Sequence, residues 1–71
     1  MSAETLQTIG NRLLGARRQK GLTQAEVAKK AGMGTNRYAV IERGEAKNMT
    51  INKLEEIVKA LDVKSSDILP F

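Results

Sequence analysis

The side chains able to do chemistry in this sequence form a restricted set. There is no cysteine and no histidine, so neither a thiolate nor an imidazole metal site can be built, and the commonest nucleophile-and-base pairs are missing. Carboxylates, lysines and one tyrosine remain; they exclude structural zinc and make no case for an enzyme. What the chain does carry is positive charge concentrated in one region. Residues 9–49 hold nine lysines and arginines against three acids, Glu26, Glu42 and Glu45, a balance of +6, whereas from residue 50 onward three lysines meet four acids. A one-sided basic field is what a polyanionic partner needs. A solvated basic surface has the same composition, and charge alone does not separate the two.

A second group of residues stands out in AGMGTNRYAVIERG, residues 31–44. Tyr38 and Ile41 are three positions apart and share a face with Met33, so they form a stripe that packs. Thr35, Asn36, Ala39, Val40 and Arg43 lie off that stripe and have no packing task. One face of this helix is therefore left free to meet something.

The chain that must position these groups has 71 residues, enough for one small core but not for a second domain or a deep substrate pocket. A single domain over residues 1–71 is expected. Its 41% hydrophobic and 28% charged residues are those of a soluble globular protein, and no apolar run approaches the ~20 residues that span a bilayer. The first residues, MSAETLQT, lack the basic-then-apolar order of a secretory signal. No membrane partner and a cytoplasmic location are expected.

Apolar spacing at Ile9, Leu13 and Ala16 predicts a first helix over residues 8–20, with residues 1–8 free to fray. Gly10 and Gly15 each weaken that helix by ~1 kcal/mol relative to alanine, so tertiary packing must hold it. Thr23 and Glu26 have capping-box spacing and start a second helix over about residues 24–31. Gly32, Met33 and Gly34 make a short turn, and a third helix follows over about residues 35–43 with Gly34 at its N-cap. Thr50 caps a fourth, whose Ile51, Leu54, Ile57, Val58 and Leu61 lie on one side. A last helical turn, SSDIL, is expected to be capped by serine and closed by Pro70. Five short helices with brief connections define a compact all-α fold.

These pieces form a constellation: IG-x-RL, then R-x-x-KGLTQ-x-E-x-A-x-x-AG, then IERG, then L-x-x-IVKAL-x-V. The chain resembles the phage repressor and Cro type of helix-turn-helix domain, the Xre family, over nearly all its length. The resemblance implies a lambda-repressor-like fold whose helix-turn-helix is formed by helices 2 and 3. It also implies double-stranded DNA as the partner, with helix 3 in the major groove and helix 2 across the backbone. Thr35, Asn36, Ala39 and Val40 match positions that present side chains to bases. Asn36 suits adenine N6 and N7, and Val40 with Ala39 suits a thymine methyl. Gln24, at the first turn of helix 2, matches a position that bonds a phosphate, and Arg43, Lys47 and Asn48 are further phosphate candidates, as is Arg37, whose reach also allows a guanine. Arg17 and Glu42 correspond to an ion pair linking helix 1 to the end of helix 3. The chain departs from the pattern at Ala16, where relatives carry a larger aliphatic residue, and at Leu14, where they are commonly polar.

The function so implied is a sequence-specific transcriptional regulator without a cofactor, acting as a repressor. One helix-turn-helix reads about half a site, so the expected state is a homodimer on a palindromic operator. Leu61, Ile68, Leu69 and Phe71 are the expected dimer surface. The competing reading is an antitoxin or other protein-binding module, whose partner would be a protein such as a toxin and which can also bind its own operator.

Overall fold

The computed structural model describes residues 1–71 as five helices and no strands: α1 Ala3–Gln19, α2 Gln24–Lys30, α3 Thr35–Glu42, α4 Ile51–Leu61 and α5 Ser65–Ile68. The helix α3 packs on both α1 and α2, α2 packs on α4, and α5 closes against α1 and α4. Twelve buried residues make one core, drawn from every helix, with Ile9, Leu13, Val27, Tyr38, Leu54, Ile57, Leu61 and Ile68 the largest fully buried side chains. Ala16 packs on the edge of this core, whereas Leu14 is half-buried outside it. No helix is long and apolar enough to cross a membrane.

The start of α1 differs from the expectation of a helix over residues 8–20. It begins at Ala3, because the Ser2 hydroxyl accepts from the Thr5 amide at 3.1 Å and Glu4 sits in the positive first turn. That extra length is used. Gln7 lies against Gly44 just beyond α3, so close that a Cβ on Gly44 would stand 2.8 Å from the Gln7 Cα.

One turn further along, the α1 backbone presses on the C-terminal end of α3. A Cβ at Gly10 would meet the Ile41 carbonyl oxygen at 2.9 Å and the Glu42 carbonyl oxygen closer still. A methyl group there has no space that side-chain motion can provide, since both obstacles are backbone. Gly10 and Gly15, equal in helix propensity, are therefore unequal in the fold: at Gly15 a Cβ would meet nothing within 4 Å.

The α2 cap forms as its spacing predicts. The Thr23 hydroxyl accepts from the Glu26 amide at 3.1 Å, and the Glu26 carboxylate accepts from the Thr23 amide at 2.9 Å. These bonds hold the exposed Glu26 carboxyl below its ordinary range. At the other end Gly32 takes φ +70°, and the amides of Gly32 and Met33 bond back to the carbonyls of Lys29 and Ala28. This left-handed residue turns the chain sharply enough for α3 to leave at an angle to α2. At α5 the serine cap does not form. The N-cap is Lys64, whose amide donates to Asp67 at 3.2 Å, and Ser65 and Ser66 lie inside the helix.

Substitution of Gly10 and Gly15 should separate propensity from packing. Gly15→Ala should raise stability by about 1 kcal/mol through helix propensity. Gly10→Ala should lower it by about 1–3 kcal/mol as α1 is pushed off α3. Urea denaturation of the two variants checks this, and equal effects would show that α1 does not approach α3 so closely.

Candidate nucleic-acid interface

The helix α3 is divided along its length as well as by face. Its first turn, Thr35, Asn36 and Arg37, is exposed, while Tyr38, Ile41 and Glu42 are buried and Ala39 and Val40 are half-buried. No side chain caps its N-terminus, since Gly34 occupies that position. The exposed turn is thus free both of core contacts and of capping duties. Beyond α3, Arg43, Lys47 and Asn48 are all exposed on the connection to α4. The Arg43 guanidinium bonds Glu45 at 3.2 Å, whereas Arg37 and Lys47 take part in no ion pair.

Between α3 and this connection lies a cleft of about 400 Å³, lined on its apolar side by Val40, Ile41, Ala46 and Met49. Its polar lining is Asn36, Arg37, Lys47, Asn48, Thr50 and Lys53, with Glu45 the single carboxylate among them. Five of the candidate DNA contacts on α3 and the following loop, Asn36, Arg37, Val40, Lys47 and Asn48, therefore share one concave surface. Lys53 on α4 is part of the same surface and was not singled out by the sequence; it lies outside the basic segment of residues 9–49, and its ammonium is held by Glu56 at 3.1 Å.

The buried end of α3 is organised by one carboxylate. Glu42 Oε2 accepts from Arg17 Nε at 2.6 Å, and Oε1 accepts from Arg17 Nη2 and from Gln24 Nε2, each at 3.1 Å. Arg17 Nη1 donates in addition to the Leu22 carbonyl at 3.0 Å. One carboxylate thereby joins α1, the α1–α2 turn, the first residue of α2 and the last residue of α3. The expected Arg17 and Glu42 pair is present, but the bond to Gln24 was not anticipated. Its only sequence signal is that Gln24 stands one residue after the Thr23 cap, at the point where α2 faces the end of α3.

The expected dimer surface is altered by burial. Leu61 and Ile68 are each 1% exposed and belong to the core of the single chain, so neither can present a surface to a second copy. Leu69 is partly buried against the same core. Of the four residues, only Phe71 is largely exposed. The α4 and α5 stripes close this small core, except that Ile51, at the first turn of α4 and expected on the same side, is 40% exposed.

Two short helices are thus joined by a glycine turn, the second held at its C-terminal end and bare at its N-terminal end. The profile of the helix-turn-helix family matches residues 14–68. This chain belongs to the helix-turn-helix family. Among its relatives, the HTH-type transcriptional regulator SinR of Bacillus subtilis is 36% identical over 61 residues, covering 86% of this chain and 55% of SinR. The chain thus spans about half the length of SinR. An uncharacterized HTH-type transcriptional regulator, y4dJ of Sinorhizobium fredii, is 34% identical over 61 residues, covering 86% of this chain and 78% of its own. The crystal structure of the restriction-modification controller protein C.AhdI from Aeromonas hydrophila superimposes with a TM-score of 0.84 at 28% identity, over 90% of this chain and 96% of that one. A point mutant of the restriction-modification controller protein C.Esp1396I superimposes with a TM-score of 0.83 at 32% identity, over 93% of this chain and 82% of that one.

In this helix-turn-helix the electrostatics of Glu42 follow from its neighbours. Burial alone would raise its pKa, but the donors of Arg17, and then of Gln24, outweigh it and hold the carboxyl below its ordinary 4.5. The hydrogen bond to Glu42 in turn raises Arg17 further above an already high value. The Tyr38 hydroxyl is buried near the pair and has no partner in hydrogen-bonding geometry. Burial, then the adjacent carboxylate, pushes its pKa up, so the phenol stays neutral.

Removing one member of the pair leaves a charge in a largely dry site. Glu42→Ala should cost about 3–5 kcal/mol, measured by urea denaturation. Because the folded pKa of Glu42 is depressed, its contribution is complete above about pH 4.5 and is lost as the pH falls through the lower folded value. Stability of the parent should therefore drop below that pH, and Glu42→Gln should flatten the drop. Stability of Glu42→Ala within a few tenths of a kcal/mol of the parent would show that the pair holds nothing in place.

Proposed function

We propose that this chain is the sequence-specific, double-stranded-DNA-binding unit of a transcriptional regulator. In this reading α3 enters the major groove and α2 crosses the phosphate backbone. The observation that carries it is the division of α3: Thr35, Asn36 and Arg37 are exposed and free of structural tasks, while the other end is fixed by Tyr38, Ile41 and Glu42. A reader of base edges needs both, since free side chains on an unanchored helix have no defined register. The surplus of +6 over residues 9–49 supplies attraction for phosphates. The named relatives, two HTH-type transcriptional regulators and two restriction-modification controller proteins, support the same reading.

Within it, Asn36 and Thr35 meet base edges, and Val40 with Ala39 meets a thymine methyl. Gln24, Arg37, Arg43, Lys47 and Asn48 meet phosphates. One α3 reads about half a site, so two copies act on a twofold-symmetric operator. A pair of domains covering an operator keeps other proteins off it, and repression is the outcome that requires no additional surface on this small chain.

Selection of bound duplexes from a random pool at moderate salt tests the reading. Enriched sites should be symmetric, with half-sites about one helical turn apart. Asn36→Ala should lose about 1–3 kcal/mol on the selected site and nothing on random duplex. Lys47→Ala should weaken both equally and reduce the salt slope by about 1. A pool with no enrichment would sink the proposal.

A further inference from the structure

We infer that Glu42, besides anchoring α3, is a positioning residue for the DNA contact made by Gln24, and that it does this by fixing which end of the Gln24 carboxamide faces it. This rests on the DNA-binding reading above. A carboxylate only accepts hydrogen bonds. The atom of Gln24 that sits 3.1 Å from Glu42 Oε1 must therefore be the nitrogen, and the amide orientation is set by chemistry and not by choice. Glu42 is itself held in one orientation, because Arg17 occupies both of its oxygens at 2.6 and 3.1 Å.

The consequence lies in the remaining valences of Gln24. Its Nε2 carries two hydrogens, and Glu42 takes one. The second N–H stays on a half-buried side chain at the start of α2, on the helix assigned to the phosphate backbone. A phosphate oxygen is also acceptor-only, so Gln24 serves it only through that nitrogen. Without Glu42 the carboxamide is free to turn, and half of its orientations would offer a carbonyl oxygen to a phosphate, which repels it. One nitrogen thus bridges a buried carboxylate and a bound phosphate, and the ion pair between α1 and α3 selects its orientation.

Charge and orientation predict opposite signs, which makes the inference testable. Glu42→Gln removes a negative charge from a protein that binds a polyanion, so Coulomb attraction alone tightens binding. Loss of orientation weakens it, by about two- to tenfold for one hydrogen bond. The experiment measures binding of a selected duplex and of a random 20-base-pair duplex by the parent, Glu42→Gln, Gln24→Ala and the double variant, at a temperature where circular dichroism shows each folded. We expect Glu42→Gln to weaken both duplexes about equally, because a phosphate contact carries no sequence information, and to have no further effect once Gln24 is alanine. Loss on the selected duplex alone, or a full effect of Glu42→Gln in the Gln24→Ala background, would assign Glu42 only to tilting α3 and overturn the inference. Failure of the parent to bind either duplex would overturn the DNA reading and the inference with it.

Should Glu42→Gln not fold, NMR of the parent answers the same question. In the free protein one of the two Gln24 side-chain amide protons, the one bonded to Glu42, should be displaced from its position in a solvated glutamine, and adding the random duplex at low salt should shift the other. A pair with the same two shifts as a solvated glutamine side chain, or a pair unmoved by DNA, would overturn the inference.

Discussion

Everything distinctive in this small domain depends on one carboxylate. Glu42 is 6% exposed, and a charge so placed is tolerable only if its lone pairs are filled. Arg17 fills both oxygens and Gln24 shares one of them. Because those donors come from α1 and α2, satisfying Glu42 requires three helices to meet at one point. The core supplies the attraction between them, which is non-directional; the ion pair supplies the register. An apolar residue in place of Glu42 would bury comparable area without specifying the angle at which α3 leaves its neighbours.

The glycines serve the same junction. Gly10 lets the α1 backbone lie on the carbonyls of Ile41 and Glu42, and Gly44 lets Gln7 lie against the chain just beyond α3. Close backbone approach and the ion pair act at the same end of α3, and Gly32 makes the turn at the other. Rigidity is therefore concentrated at the C-terminal half of α3, and the exposed polar residues occupy the half that is held least.

The architecture was legible because its signals are local. The Thr23 and Glu26 capping box, the Gly32 turn and the stripe of α4 each announce themselves within a few residues, and the order of such signals resembles a single family. The misreadings come from information that is not local. The first turn of α1 carries almost no apolar stripe, so periodicity overlooked a helix that Ser2 caps and that Gly44 supports from 37 positions away. Leu61 and Ile68 looked like surplus apolar surface, but whether a stripe faces a partner or its own core depends on how much area the other helices leave uncovered. The bond from Gln24 to Glu42 spans 18 positions and joins two residues that each had a sufficient role alone. Of the candidate contacts, Thr35, Asn36 and Arg43 could be recognised by lying off the packing stripe, and all three are exposed. Lys53 could not, because its membership of the cleft is a matter of where α4 begins relative to α3.

The uneven anchoring of α3 has an evolutionary consequence. Residues that keep the fold and residues that face outward at Thr35, Asn36 and Arg37 share a helix but hardly share contacts, so the energetic coupling between them is small. Changes in the outward set can accumulate without a stability threshold being crossed, and each altered set inherits an intact scaffold. A domain built in this way can diverge in what it recognises while remaining the same fold, and new specificities can be engineered by randomising three adjacent positions without repairing the interior.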